Sequence, residues 1–314
     1  MSVAAARAEL IEDRGEAALS ADFFRSREFL DAEGATHTLR ISGADLDLVA
    51  PLIVREIPGT KAHDGISPYG YPGLVPASNQ RARLELSEVD WSGTGLVSLF
   101  LRHRLGLSPL AGATERNVVQ IADPALAPKS RPSDRRQVRR NLEAGYELAL
   151  VPSAETSAGQ RAGFLDLYEQ TMRRTGAAPH YFFGAAYFDR VLEAPGTWLA
   201  LATAPGGELA AASIAAASDG FLHYYLSGSA DSHLREAPMK NVLTLLIDHA
   251  TELDLPLNLG GGIRPNDALE EFKRGFANRT EPWLTSEIIC NPTKYQLLSK
   301  DQQPAGQFFP AYRS

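Results

Sequence analysis

Cysteine is almost missing from this chain. One cysteine, Cys290, stands among 314 residues, so no disulfide can form within the chain and an intracellular, cytoplasmic address is expected. Long apolar runs are missing as well. No stretch approaches the ~20 residues that a membrane-spanning helix needs. The N-terminus, M-S-V-A-A-A-R-A-E-L, has acids at Glu9, Glu12 and Asp13 and lacks the apolar segment of a signal peptide. Positive charge is in deficit: the formal net charge is −7, which excludes a uniformly basic nucleic-acid binder and leaves room for a local basic patch. The seven histidines show no ligand spacing and Cys290 has no cysteine partner, so no metal site is expected. There is no G-x-S-x-G elbow, no phosphate-binding P-loop and no G-x-G-x-x-G opening a helix. Cys290 also lacks any activating context for nucleophilic catalysis.

What is present is a chain with 44% hydrophobic residues, long enough for two cores. Residues 1–38 are charged and alanine-rich and read as an arm or surface helix. Strands are predicted at Leu46–Ile57, Gly95–Arg104, Asn117–Ala122 and Glu147–Val151. Between the first two lies S-P-Y-G-Y-P-G-L, where Gly70, Pro72 and Gly73 force a turn that presents Tyr69 and Tyr71. This turn is either a tyrosine cap on a core or a substrate-facing loop. The second half has the clearer pattern. Helices are predicted at Ala158–Arg174 and Ala185–Leu192, then strands at Trp198–Thr203, Glu208–Ala217 and Phe221–Leu226. A helix at Met239–Leu253, a strand at Leu255–Leu259, a short helix and a strand at Trp283–Ile289 follow. Antiparallel strands feeding one crossover helix make an α/β layer fold with a mixed sheet, the order found in acetyltransferase-like (GNAT) folds. In such a sheet the strand before the long helix and the strand after it splay apart and admit a ligand.

Two stretches carry chemistry. The first is L-N-L-G-G-G followed by D-A-L-E-E-F-K-R-G-F. Asp267 and Glu270 have capping-box spacing, and Leu269, Phe272, Lys273 and Phe276 share a helical stripe. A lysine on that stripe either snorkels from its edge or aims a cation at a site. Gly260, Gly261 and Gly262 would let backbone N–H groups meet an anion or a carbonyl at the end of a splay strand. The second is Lys129–Arg140, with six basic residues and one acid. Ser133 is expected to cap a helix there. Arg135, Arg136, Arg139 and Arg140 are either a solvated face or a phosphate-contacting one.

Y-G-Y-P-G at Tyr69–Gly73, R-R-Q-V-R-R-N-L-E-A-G at Arg135–Gly145 and the L-G-G-G…F-K stretch together resemble the Fem-type aminoacyltransferases, a GNAT branch with two GNAT-like units per chain. Y-L-S-G-S at Tyr225–Ser229 and Y-E-Q-T-M-R-R-T-G at Tyr168–Gly176 also resemble the family pattern. The resemblance covers roughly residues 45–300. It implies two tandem GNAT-like units, placed at 39–150 and 151–289, each a mixed, mostly antiparallel splayed sheet flanked by helices, with the tail 290–314 packing back on the first. It also implies transfer of an aminoacyl group from aminoacyl-tRNA to an amine, with no tightly bound cofactor. Lys273 matches the lysine of the family's F-K motif at the transfer site. Arg174 and Tyr181 fall where such enzymes contact the acceptor, and Tyr69, Tyr71, Tyr225 and the three glycines complete the expected substrate contacts. Arg135, Arg136, Arg139 and Arg140 would contact tRNA. The long helical hairpin that many cell-wall members carry has no counterpart here, which favours small-molecule or peptide acceptors, as in natural-product tailoring, over cell-wall bridge synthesis.

An acyl-CoA-dependent GNAT N-acyltransferase is the main alternative. Its pyrophosphate loop needs bare backbone N–H groups from closely spaced glycines ahead of the long helix. Ser229–Met239 contains no glycine after Ser229, and Pro238 removes one donor. A non-catalytic binding protein on the same scaffold is the third reading.

Overall fold

The computed structural model describes residues 6–77, 85–106, 112–264, 266–300 and 308–314. In chain order the elements begin with β1 (Ala6–Ile11), α1 (Arg27–Glu33), β2 (His37–Gly43), β3 (Leu46–Glu56), β4 (His63–Ile66), β5 (Val75–Pro76), β6 (Val89–Asp90), β7 (Ser98–Arg102) and β8 (Thr114–Ala122). They continue with α2 (Pro132–Glu143), β9 (Glu147–Pro152), α3 (Ala158–Thr175), α4 (Ala185–Val191), β10 (Thr197–Thr203), β11 (Leu209–Ser218) and β12 (Phe221–Ser229). The last are α5 (Met239–Glu252), β13 (Leu257–Gly260), α6 (Ala268–Arg274), β14 (Arg279–Ile289) and α7 (Pro292–Ser299). None of these described helices is long and apolar enough to cross a membrane.

The chain divides into two compact units, 1–116 with 282–314, and 117–281. The sequence reading placed the division at 150 and 289. The strand register explains the difference: β8 pairs with β13 through Leu257↔Ala122 and Asn258↔Ile121, which binds residues from 117 onward to the second unit.

Unit 1 is an antiparallel run β1–β2–β3–β4, a short parallel pairing of β4 with β7, and β14 closing antiparallel on β7. Its first residues are not an arm. Ala8 on β1 is fully buried, and Phe23, Phe24 and Phe29 pack ring to ring with centroids 4.8–5.4 Å apart. The C-terminal residues are tied into the same unit. The buried Asp64 carboxylate accepts from the Tyr312 hydroxyl (3.3 Å), from Arg55 (2.9 Å) and from Arg313 (3.1 Å).

Unit 2 repeats the plan. β9, β10, β11 and β12 form an antiparallel run, β13 pairs in parallel with β12, and β8 closes antiparallel on β13. Each unit is therefore a mixed, mostly antiparallel sheet: unit 2 has the one parallel pairing of β12 with β13, and unit 1 has that of β4 with β7 and a second, of β6 with β1, at its edge. In each, the closing strand comes from the other end of the unit's sequence. α5 lays Val242, Leu243, Leu246 and Ala250 on the sheet's core face, as its apolar stripe dictates. α3 starts with a full capping box between Ser157 and Gln160 and packs Phe164, Leu167 and Tyr168 inward. It comes so close to β12 that a Cβ on Gly228 would lie 2.4 Å from the Leu167 carbonyl carbon. The glycine of Y-L-S-G-S is thus a packing requirement.

Candidate functional site

In unit 2 the parallel pairing of β12 with β13 is only two rungs long, Leu222↔Leu257 and His223↔Asn258. Beyond His223 the β11–β12 register slips, so that Tyr225 is an extra residue in β12. A bulge of this kind bends its strand. Beyond Asn258 the β13–β8 register slips as well, and Gly260 takes a φ of 76°. Both strands therefore leave the ladder at the same level, and the sheet forks toward their C-terminal ends. Ligands enter α/β sheets at such ends.

Lys273 sits at this fork. Its side chain is 8% exposed, and Nζ donates to the Gly261 carbonyl at 2.7 Å and lies 6.0 Å from the centroid of the Tyr224 ring. Desolvation by burial lowers its pKa from 10.5 to about 8, and the nearby Asp267 carboxylate works in the opposite direction. The ammonium does not snorkel into water. It remains largely charged at neutral pH, held by one carbonyl, one ring face and the field of one carboxylate.

The stripe drawn from the sequence is narrower in the structure. α6 ends at Arg274, Phe276 lies past it, and Leu269 is 40% exposed, so Lys273 is buried more deeply than two of its apolar companions, Leu269 and Phe272. Asp267 caps α6 as expected, with Oδ1 accepting from the Glu270 N–H at 2.8 Å. Glu270 does not complete a capping box: its Oε2 accepts from the Asn266 N–H instead, one residue ahead of the cap.

The three glycines each meet a local constraint. A Cβ on Gly260 would stand 3.0 Å from Lys273 Nζ, on Gly261 2.8 Å from Asn117 Nδ2, and on Gly262 2.4 Å from Asp267 Oδ1. Part of the loop's N–H set is already engaged within the chain. The Gly260 N–H donates to Asn258 Oδ1 (2.8 Å), and the Ile263 and Arg264 N–H groups donate to Asp267 Oδ2 (2.7 and 2.9 Å). What it presents to the lysine is a carbonyl. Asn117 Nδ2 donates to the Gly262 carbonyl at 3.0 Å and holds the loop against β8.

Sequence reasoning missed His223, Tyr224, Asn258 and Asn117. Asn258 Nδ2 donates to His223 Nδ1 at 3.0 Å, and His223 Nε2 donates to the Ser218 carbonyl at 3.2 Å. Burial lowers the His223 pKa to about 4, so the ring is neutral and Nδ1 accepts from Asn258. Burial likewise pushes the Tyr224 hydroxyl up to about 12. The only sequence signal for this group was a polar residue in each of two otherwise apolar strands.

The other expected residues are placed as follows. The Tyr225 hydroxyl meets the Tyr187 hydroxyl at 2.6 Å, and Tyr187 stacks on Phe183 at 4.1 Å. Tyr181, 37% exposed, gives its carbonyl to the Tyr168 hydroxyl at 2.7 Å. Arg174 donates to the Ser229 carbonyl (3.2 Å) and Thr171 Oγ1 (3.0 Å) and pairs with Asp231, so it ties α3 to the end of β12. Tyr69 and Tyr71 belong to unit 1. The Tyr69 N–H donates to Glu33, and the half-buried Tyr71 meets the Phe24 and Trp283 rings at 5.5 and 6.2 Å.

α2 is pinned through one polar face. Asp134 pairs with Lys240 at 2.8 Å, and Asn141 Nδ2 donates to Asn241 Oδ1 at 2.7 Å. Pro132 occupies the first turn and Arg131 the cap position, so Ser133 is inside the helix and does not cap it. A proline there needs no N–H partner, which is why it starts the helix. Arg135, Arg136, Arg139 and Arg140 are exposed, and none pairs with a carboxylate among the described residues.

Residues 128–274, from just ahead of α2 to the end of α6, match the family described as acetyltransferase (GNAT) domain. Comparison with curated proteins gives no significant match. Among solved structures, FemX is similar over 92% of this chain and 99% of its own, with 13% identity and a TM-score of 0.61. The DUF2156 C-terminal domain of a protein provisionally assigned as a lysylphosphatidylglycerol synthetase from Agrobacterium fabrum is similar over 92% of this chain and 94% of its own, with 13% identity and a TM-score of 0.56. A conserved protein of unknown function from Bacteroides thetaiotaomicron covers 85% and 90%, with 11% identity and a TM-score of 0.51. The Fem-type resemblance read from the motifs therefore holds at the level of the fold.

Proposed function

We propose that this chain, a GNAT-domain protein with a FemX-like fold, moves an aminoacyl group from aminoacyl-tRNA to the amine of a small-molecule or peptide acceptor. The observation that carries the reading is a buried ammonium, Lys273, held on the Gly261 carbonyl where β12 and β13 part. The donor ester is already activated, so the tasks are positioning, charge stabilisation and proton removal. The acceptor nitrogen attacks the ester carbonyl, the C–N bond forms and an oxyanion develops. The C–O bond to the ribose then breaks, and the proton lost by nitrogen ends on the ribose oxygen. Lys273 supplies positive charge to the oxyanion, or to a carboxylate or phosphate of the acceptor.

Arg174, Tyr181 and Tyr225 are assigned to the acceptor. Arg135, Arg136, Arg139 and Arg140 are assigned to tRNA phosphates, which suits an exposed guanidinium face on a chain of net charge −7. The longest described helix is α3, with 18 residues, and the preference for acceptors other than cell-wall precursors rests on that modest length. The region ahead of α5 speaks against acyl-CoA. It contains a short turn at Asp231–His233, a non-glycine residue at positive φ (Ala237, 47°) and Pro238 at the helix cap, with no glycine to bare its N–H groups.

The test is to incubate the protein with a pool of charged tRNAs, and separately with acyl-CoA donors, together with candidate amines. Product formation that RNase pretreatment abolishes is expected. Transfer from acyl-CoA alone would establish the CoA-dependent reading. No transfer from either donor, with any amine, would leave a binding protein.

A further inference from the structure

The two units share one strand plan, and the comparison between them isolates a feature that the fold does not require. In unit 1 the parallel pairing of β4 with β7 ends on Ile66↔Phe100, an apolar rung. In unit 2 the matching rung is His223↔Asn258, two buried polar residues, each 2% exposed. Placing an imidazole and an amide there is unfavourable unless every polar atom is paired. They are paired in one direction. The Gly260 N–H donates to Asn258 Oδ1, Asn258 Nδ2 donates to His223 Nδ1, and His223 Nε2 donates to the Ser218 carbonyl. Because the Ser218 carbonyl can only accept, Nε2 must carry the hydrogen. Nδ1 must then accept, which turns the Asn258 amide so that its oxygen faces Gly260. The chain of bonds runs from the β11–β12 turn across the fork and ends on the first glycine of the loop. The next residue, Gly261, supplies the carbonyl that holds Lys273.

We propose that Asn258 and His223 are positioning residues: their side-chain bond locks the fork and aims the Gly260–Gly261 loop so that Lys273 is held desolvated at the opening. This rests on the reading of Lys273 as the transfer-site cation. Neither residue needs to touch substrate. A neutral imidazole is essential, because a protonated ring would present two donors to the Asn258 amide and the Ser218 carbonyl and force the amide to turn away from Gly260.

The test uses the full chain and reads Lys273 directly, without substrate. The Lys273 Cε and Nζ resonances, assigned by comparison with Lys273→Arg, are followed through a pH titration. Asn258→Ala and His223→Phe are expected to move the midpoint upward by about one pH unit or more, as the loop relaxes and water reaches the ammonium. His223→Gln, a neutral side chain that can still accept from Asn258 and donate to Ser218, is expected to keep the midpoint near that of the unaltered protein. If the single variants do not fold, the double variant His223→Ile with Asn258→Phe installs the rung that unit 1 uses. It is expected to fold and to release Lys273 in the same way. An unchanged midpoint in the folded variants overturns the proposal. In the transfer assay the same variants are expected to lower kcat with KM little altered, and His223→Gln to restore it. Absence of transfer by the unaltered protein would refute the catalytic reading, while the titration still decides the positioning role.

Discussion

Replacing Lys273 with methionine should stabilise the protein. The site keeps the lysine charged at neutral pH against burial, and the fall of its pKa from 10.5 to about 8 corresponds to ~3 kcal/mol, at about 1.4 kcal/mol per tenfold change in proton affinity. The folded state binds the proton more weakly than the unfolded chain. The penalty is therefore fully present below pH 8 and is relieved as the pH rises from there toward 10.5, so stability should climb through that window. Methionine fills a similar volume without the charge. It leaves the half-buried Gly261 carbonyl without its donor, which takes back about 1 kcal/mol. The net gain at pH 7 is then ~2 kcal/mol, shrinking toward zero near pH 10, where the native lysine is already neutral. Urea unfolding followed by circular dichroism at pH 7 and pH 10, on Lys273→Met and the unaltered chain, reads both numbers. A variant that is less stable at pH 7, or a difference that is equal at both pH values, would refute the claim that the ammonium is desolvated.

Two other outcomes follow from the geometry. Converting Arg136 and Arg139 to glutamine should flatten the log–log salt dependence of tRNA binding by about 2, since each phosphate contact contributes roughly 0.9 to the slope; an unchanged slope would make α2 a solvated face. Gly228→Ala should destabilise unit 2 by about 1–3 kcal/mol, because α3 must move off β12 to admit a methyl group. The urea midpoint measures this, and a neutral result would mean that α3 shifts freely.

The order of elements in unit 2 was legible because its strands and helices have strong, uninterrupted periods. Val242, Leu243, Leu246 and Ala250 could only be a helix stripe, and Trp198–Thr203 and Glu208–Ala217 flank a Pro-Gly-Gly turn. Unit 1 was less legible. β1 reads A-R-A-E-L-I, whose buried face starts with two alanines, and β4 is four residues long, too short for a period to register. The boundary between units was hidden for a different reason. It depends on which strand closes which sheet, and β8 and β14 reach partners that are distant in sequence.

At the site, Lys273 was visible as a cation within an apolar stripe and the glycines as a broken strand end. The hydrogen bonds that organise them were not. His223 and Asn258 are 35 residues apart, and Asn117 is 145 residues from the carbonyl it holds. Only the strand register brings them together. The Tyr71 ring likewise packs edge-on against Phe24, a contact between residues far apart in sequence that no local pattern announces.

The most direct measurement is a single-turnover transfer assay comparing the unaltered chain with Lys273→Ala, using charged tRNA and the best acceptor found. Loss of one charge-stabilising donor typically removes about 3 kcal/mol of transition-state stabilisation, so the rate should fall by roughly 100-fold or more while the variant remains folded. A folded Lys273→Ala that transfers at the original rate would contradict the account.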